Sequence, residues 1–252
     1  MAKYDQEILN AVGLRGTLSV VELSEMLGVS DQTIRRIVKP LVDAGLIKKV
    51  HGAIVSVDNP TTEPFQVRLQ HNREAKAQIA SKIAELIPDG ASVAIDAGSS
   101  AGFVAKALQI RKNLTVVTNS AFVASTLSLK KGNKVFFAGT QLRDYDGASY
   151  DRTAFNTVES LRVDYCVLTA SLVHHKRGFL MAEQSEADMA KAMTSIAEQT
   201  IFAVDHSKLV KNGTQGLLSI GELRPQPWMI TDEISRGAGG DFDDIANVIV
   251  VS

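Results

Sequence analysis

The 252-residue chain has one cysteine, Cys166, so no internal disulfide can staple it and its fold must rest on buried apolar surface. A lone thiol suits a reducing compartment. No apolar run is long enough to span a bilayer, and residues 1–7 lack the apolar stretch of a secretory signal. A membrane partner is therefore not expected; a soluble, cytoplasmic protein is. No internal repeat is present, which argues against a solenoid. His174 and His175 have no third His, Cys or carboxylate at ligand spacing, so they read as loop surface and no metal site is expected. Charge of one sign is also scarce. The net charge of −1, taken whole, argues against nucleic acid.

The location of the charge reverses that argument. Residues 1–29 carry Lys3 and Arg15 against Asp5, Glu7, Glu22 and Glu25, a balance of −2. Residues 30–51 carry Arg35, Arg36, Lys39, Lys48 and Lys49 against Asp31 and Asp43, a balance of +3 with His51 in addition. Counterion release from phosphate needs such a local patch, not a basic chain.

The same segment has the punctuation of a helix-turn-helix. Apolar spacing at Tyr4, Ile8, Leu9 and Val12 predicts a helix over 4–12. Ser19 caps a second helix with Val20, Leu23 and Leu27 inward and Gly28 as left-handed terminator. Ser30 caps a third, with Ile34, Ile37, Val38, Leu41 and Val42 on one face and Gln32, Thr33, Arg35, Arg36 and Lys39 on or beside the other. Gly45 ends it, and Ile47 to Val57 reads as a two-stranded wing turning near Gly52. Arg and Gln can bond guanine and adenine edges, while Ser30, Thr33 and Lys39, with Lys48, Lys49 and His51 in the wing, suit phosphates. Pro40, inside the third helix, removes one backbone bond and predicts a kink.

Asn59-Pro60-Thr-Thr-Glu-Pro64 breaks both periodicities and reads as a linker. It divides the chain into a winged helix-turn-helix domain, 1–58, and a second domain, 65–252. A long helix is expected over Phe65–Ile87, closed by Pro88-Asp-Gly90. Apolar strands at 92–95, 114–118, 134–138, 164–169, 200–204, 228–230 and 247–251 then alternate with helical stretches. The fold class expected is α/β, a doubly wound and mainly parallel sheet. The glycine- and aspartate-rich stretch Gly237–Asp244 reads as a loop. Cys166, inside a strand, is core rather than a nucleophile, Met181, Met189 and Met193 are helix packing, and His206 is a pocket rim.

Ligands of such sheets bind beyond the carboxyl ends of the strands, and the polar and glycine residues fall there: Asp96, Gly98, Ser99 and Ser100; Thr118 and Asn119; Gly139 and Arg143; Asp205 and Lys208. Glycine and hydroxyl residues at a helix start expose N–H groups to an anion. Arg143 or Lys208 would supply countercharge. Asp96, Glu186 or Asp205 would accept bonds from sugar hydroxyls.

Val29-Ser-Asp-Gln-Thr-Ile-Arg-Arg36, Leu41-Val-Asp-Ala-Gly-Leu-Ile47 and Val50-His-Gly-Ala53 resemble the signature of DeoR-type bacterial transcription regulators. So do Asn72-Arg-Glu-Ala-Lys76, Asp96-Ala-Gly-Ser-Ser100, Leu114-Thr-Val-Val-Thr-Asn-Ser120, Glu186-Ala-Asp-Met-Ala-Lys191 and Asp205-His-Ser-Lys208. The resemblance implies an N-terminal winged helix-turn-helix and a sugar-phosphate sensor related in fold to ribose-5-phosphate isomerase. The chain departs from the family pattern at Ile37-Val38, at Ala53-Ile54, at Ala138 and at Thr169-Ala-Ser-Leu172, where bulk replaces glycine.

The expectation is a DNA-binding regulator, a repressor of a carbohydrate operon. It would bind double-stranded operator DNA as a homo-oligomer, dimer or tetramer, and respond to a phosphorylated sugar. No cofactor and no catalytic residue are expected. The alternative is a sugar-phosphate isomerase with an appended domain, using Asp96, Glu186 or Asp205 as base and Lys208 as electrophile.

Overall fold

The structure, a computed structural model, describes residues 3–15, 17–50, 53–56, 65–211, 214–234 and 242–251. The turn of the wing (His51, Gly52), the linker 59–64 and most of the glycine-rich stretch fall outside them. The chain divides into two compact units, Met1–Arg68 and Leu69–Ser252.

The first unit contains α1 (Lys3–Arg15), β1 (Thr17–Ser19), α2 (Val20–Leu27), α3 (Asp31–Asp43), β2 (Ile47–Val50) and β3 (Ala53–Ser56), and ends in the short α4 (Phe65–Arg68). A capping box opens α2: Ser19 Oγ accepts from the Glu22 N–H at 3.1 Å while Glu22 Oε2 accepts from the Ser19 N–H at 2.7 Å. Gly28, at φ 64°, closes α2 in the left-handed region. Ser30 Oγ then caps α3 through the Thr33 N–H. Ile8, Val12, Leu18, Leu23, Ile34, Val38, Leu41, Ile47 and Ile54 form the core. The expected two-stranded wing is present as the antiparallel pair β2 and β3, and a third strand not anticipated, β1, joins it in the order β1-β3-β2. Three residues are too few for a periodic signal, and Thr17–Ser19 is a strand only because it pairs with Ala53–Val55. The third helix runs through Pro40 to Asp43. Pro40 and Arg36, whose carbonyl loses its donor, are both exposed, so water can serve that carbonyl.

The second unit contains α5 (Arg73–Leu86), β4 (Ser92–Ile95), α6 (Ser99–Ala107), β5 (Thr115–Thr118), α7 (Ala121–Ser128), β6 (Lys134–Phe137), α8 (Arg152–Glu159), β7 (Val163–Leu168), β8 (Leu172–His174), β9 (Gly178–Met181), α9 (Gln184–Ile196), β10 (Ala197–Ala203), β11 (Leu209–Val210), β12 (Leu218–Ser219), β13 (Trp228–Thr231) and β14 (Asn247–Val250). The seven strands expected from the apolar runs form one sheet in the order β14-β13-β10-β7-β4-β5-β6. All six pairings are parallel. Alternate residues feed two cores, as a pleated strand requires. Val93, Ile95, Val116, Val167, Ile201 and Ile230 face α5, α6 and α7, while Ala94, Val117, Cys166, Leu168, Phe202 and Met229 face α8 and α9. Cys166 is buried there, as a core residue.

Three expectations need correction. The helix expected over 65–87 is two helices, broken where Asn72 takes φ 48°, ψ 43°. Its Nδ2 donates to Asp205 Oδ1 at 2.9 Å, a tertiary tie that outweighs helical continuity. A second, four-stranded sheet in the order β11-β8-β9-β12 was not anticipated, because its strands are two to four residues long and arise from pairing. It claims Met181, which is strand rather than helix packing. It also claims His174, whose Nδ1 accepts from the Lys176 and Arg177 N–H groups and whose Nε2 lies 3.1 Å from the Lys211 carbonyl. No helix among the described residues is long and apolar enough to cross a membrane.

Candidate functional site

The first candidate surface is the outer face of α3. With Ile34, Val38 and Leu41 buried, helical geometry turns Gln32, Arg35, Arg36 and Lys39 outward, and all four are exposed. Ser30 is exposed at the cap, with its Oγ 3.0 Å from Thr33 Oγ1. Lys48 and Lys49 are exposed on β2. Among the described residues none of these five cations is held in an ion pair. Their charge is available to an outside anion.

The second lies at the carboxyl edge of the large sheet. β4 and β5 are adjacent and parallel, with Ile95 opposite Thr118, so the residues that follow each strand come out side by side. Asp96 and Asn119 are buried, and one oxygen of each, Asp96 Oδ1 and Asn119 Oδ1, lacks a hydrogen-bond donor among the described residues. The other end of the Asn119 amide donates to the Ser149 carbonyl at 3.2 Å. Thr118 Oγ1 is used locally, accepting from the Ser120 N–H. Burial, reinforced by Glu186 and opposed by the Ala97 N–H and Arg143, pushes the Asp96 carboxyl up to about 7. Burial likewise raises Glu186, in the first turn of α9.

Gly98 opens α6 without a side-chain cap, leaving the N–H groups of the buried Ser99 and Ser100 at the first turn. Glycine is needed there. Its φ is 127°, and a Cβ would lie 2.9 Å from Thr169 Oγ1, at one of the positions where bulk replaces the family's glycine. Beyond β6, Gly139 has φ 123°, and a Cβ would fall 2.0 Å from Ser149 Oγ.

Arg143 is held on every side. It pairs with Asp146 at 2.5 Å, Glu183 at 2.9 Å and Glu186 at 3.2 Å, and its guanidinium lies over the rings of Tyr145 and Tyr150. Asp151 anchors the loop before it. Its Oδ2 accepts from the Thr140 N–H and hydroxyl, the Gln141 N–H and Ser149 Oγ, while Oδ1 caps α8 through the Ala154 N–H. Those backbone and hydroxyl donors hold the Asp151 carboxyl far below the usual range. Sequence reasoning missed Asp146, Asp151, Tyr145, Tyr150 and Glu183. Only Asp151 carried a signal, as an aspartate three residues before an apolar helical position.

Asp205 and Lys208 emerge from the end of β10, which β7 separates from β4. Two strand spacings are about 10 Å. Asp205 is buried, and its Oδ1 accepts from Asn72 Nδ2, the Ser207 N–H and the Ser207 hydroxyl. His206 Nδ1 lies 2.6 Å from Asp232 Oδ2, which raises the imidazole pKa. The structure thus gathers Asp96, Gly98, Ser99, Ser100, Thr118, Asn119, Gly139, Arg143 and Glu186 around the ends of β4, β5 and β6. Asp205 and Lys208 form a neighbouring cluster beyond β7.

An exposed basic helix on a helix-turn-helix head, joined to an α/β domain with unmet polar groups at its strand ends, defines a ligand-responsive transcription regulator. The chain matches the DeoR-like helix-turn-helix domain over residues 5–60 and the DeoR C terminal sensor domain over residues 71–233. It belongs to the DeoR family of transcription regulators, and the isomerase alternative is set aside. It is 32% identical to the glycerol-3-phosphate regulon repressor of Escherichia coli (strain K12) over 213 residues, 84% of each chain. It is 29% identical to the HTH-type transcriptional repressor CsqR of the same organism over 236 residues, 94% of this chain and 89% of that one. The sheet resembles that of ribose 5 phosphate isomerase A from Neisseria gonorrhoeae, with TM-score 0.41 and 20% identity over 54% of this chain and 53% of that one.

Proposed function

We propose that this chain is a cytoplasmic repressor of a carbohydrate operon, binding double-stranded operator DNA as a symmetric oligomer and responding to a phosphorylated sugar. The observation that carries the reading is the pair of donor-less buried oxygens, Asp96 Oδ1 and Asn119 Oδ1, beside the glycine-opened start of α6. Buried acceptors without donors cost free energy that a ligand's hydroxyl groups would recover. The first-turn N–H groups of Ser99 and Ser100 and the dipole of α6 favour a phosphate at the same place. Arg143, already paired with three carboxylates, serves to orient Glu186 and Asp146 rather than to meet the phosphate. Countercharge comes from the helix start, with Lys208 at the neighbouring strand end.

In the reading unit, Arg35, Arg36 and Gln32 meet base edges, while Ser30, Thr33, Lys39, Lys48, Lys49 and His51 meet phosphates. One short helix reads too few bases for useful specificity, so two copies bind half-sites about one DNA turn, ~10 base pairs, apart or a multiple of it. The two relatives named above are repressors, which supports that sign of control. Regulation is by linkage: the effector favours one of two states that differ in their grip on DNA, and a ligand with equal affinity for both changes nothing.

The test is a melting and gel-shift series on the full chain with free sugars and their phosphates. Phosphates alone should raise the melting temperature and alter DNA binding. Ser100→Glu, which sets a fixed carboxylate at the start of α6, should still bind DNA and ignore the effector. Equal responses to a free sugar and its phosphate would refute the phosphate assignment.

A further inference from the structure

We propose that the open edge of β6 is the surface on which two copies of this chain pair, strand against antiparallel strand, extending the parallel sheet across a two-fold axis. β6 is the last strand of the seven, and unlike the strands at the sheet's centre it is largely exposed. Phe136 and Phe137 are neighbours on a pleated strand and so point to opposite faces, yet they remain 44% and 37% exposed. Leu142 follows at 47%, Leu129 precedes at 87%, and Ile110, on the turn packed against α7, is 66% exposed. Only Ile234 and Val250 are other exposed large apolar residues described in this unit. The four residues on or next to β6 in sequence expose on the order of 400 Å², about half of the ~800 Å² that each partner of a standard interface buries. An apolar, unpaired edge strand left bare would template aggregation, so it needs a cover.

The hydrogen-bonding pattern and the charge choose a second copy as that cover. The Lys134 N–H donates to Leu114 O and the Ala138 N–H to Thr118 O, so in a parallel pair Val135 and Phe137 direct their N–H and C=O groups outward. Two outward-bonding residues flanking Phe136 are self-complementary about a two-fold axis through Phe136. Val135 then bonds Phe137 of the other copy, and Phe136 stands opposite its own equivalent as a non-hydrogen-bonded pair. Charge follows the same symmetry. The amino end of β6 carries Lys130, Lys131 and Lys134, whereas the loop beyond its carboxyl end carries exposed Asp144 and one cation, Arg143, outnumbered by its partners Asp146, Glu183 and Glu186. Antiparallel pairing brings each basic end to the other copy's acidic end, while parallel pairing would set like against like. The proposal adds a surface to the oligomer argued above, and its test needs neither DNA nor effector.

Phe136→Cys provides that test, because Cys166 is buried and the new thiol is then the one exposed cysteine. Facing Cα atoms of a non-hydrogen-bonded pair lie about 4.5 Å apart, within disulfide reach. Mild oxidation should convert most of the variant to a covalent dimer on a non-reducing gel, with Glu222→Cys as the exposed control that stays monomeric on that gel. Phe136→Asp should halve the sedimenting mass or more, with circular dichroism unchanged. Two further variants, Lys131→Glu with Lys134→Glu in one chain and Asp144→Lys in the other, should associate poorly alone and form a mixed dimer when combined. A wild-type monomer, or failure of Phe136→Cys to cross-link beyond the control, would overturn the proposal.

Discussion

Replacing Asp96 by asparagine should stabilise the sensor domain at neutral pH, although it removes an ionisable carboxyl from the centre of the candidate site. The carboxyl sits at about 7 against an ordinary 3.8, first because burial strips its hydration and then because Glu186 repels it. At 1.36 kcal/mol per pH unit the interval is worth roughly 4 kcal/mol, an upper figure because local relaxation absorbs part of it. Its sign follows from proton counting. The unfolded chain ionises Asp96 near pH 4 and the folded chain near pH 7, so between them the folded state holds the extra proton. Stability from this residue is therefore complete below pH 4, falls as pH rises toward 7, and is lost above it. Asparagine does not titrate. Trp228, the single tryptophan, stands at the start of β13 and reports sensor unfolding alone. Denaturant titrations followed by its fluorescence should give a wild-type minus Asp96→Asn difference that moves against the wild type by roughly 2–4 kcal/mol between pH 4.5 and 8. Parallel pH profiles for the two proteins would refute the claim that Asp96 is a buried, donor-poor carboxyl.

Arg36→Ala should cost about 1–3 kcal/mol of operator affinity and relax sequence preference, while Lys48→Ala should weaken all DNA alike and flatten the salt dependence; equal losses on specific and random DNA for both would refute the division between reader and clamp. Gly98→Ala should abolish the effector response, because its φ of 127° and the 2.9 Å approach to Thr169 Oγ1 leave no room for a methyl group. Adding Thr169→Gly relieves the contact but not the backbone strain, so calorimetry should show partial rescue at most. Ser30→Ala removes the cap of α3 and should lower the stability of the reading unit by about 1 kcal/mol in thermal melts of that unit.

Much of the architecture was legible because its signals are local. Ser19 with Glu22, Gly28, and Ser30 announce the two helices and the turn between them, since each supplies a bond or a left-handed φ that the backbone needs within four residues. The seven sheet strands were legible as short apolar runs, because parallel strands buried on both faces need apolar residues throughout. The polar groups at strand ends were legible for the same reason, being the first residues past each run. Tertiary structure decided the rest. β1 and the four short strands of the second sheet are defined by partners, not by their own composition. The break at Asn72 depends on Asp205, 133 residues away, and the state of Arg143 depends on Glu183 and Glu186, 40 and 43 residues away. Only the folded chain turns Arg143 from a candidate phosphate ligand into the centre of a carboxylate cluster, and only burial turns Asp96 from an ordinary acid into one that ionises near neutrality. Both depend on distance and desolvation, and neither is written in the order of residues.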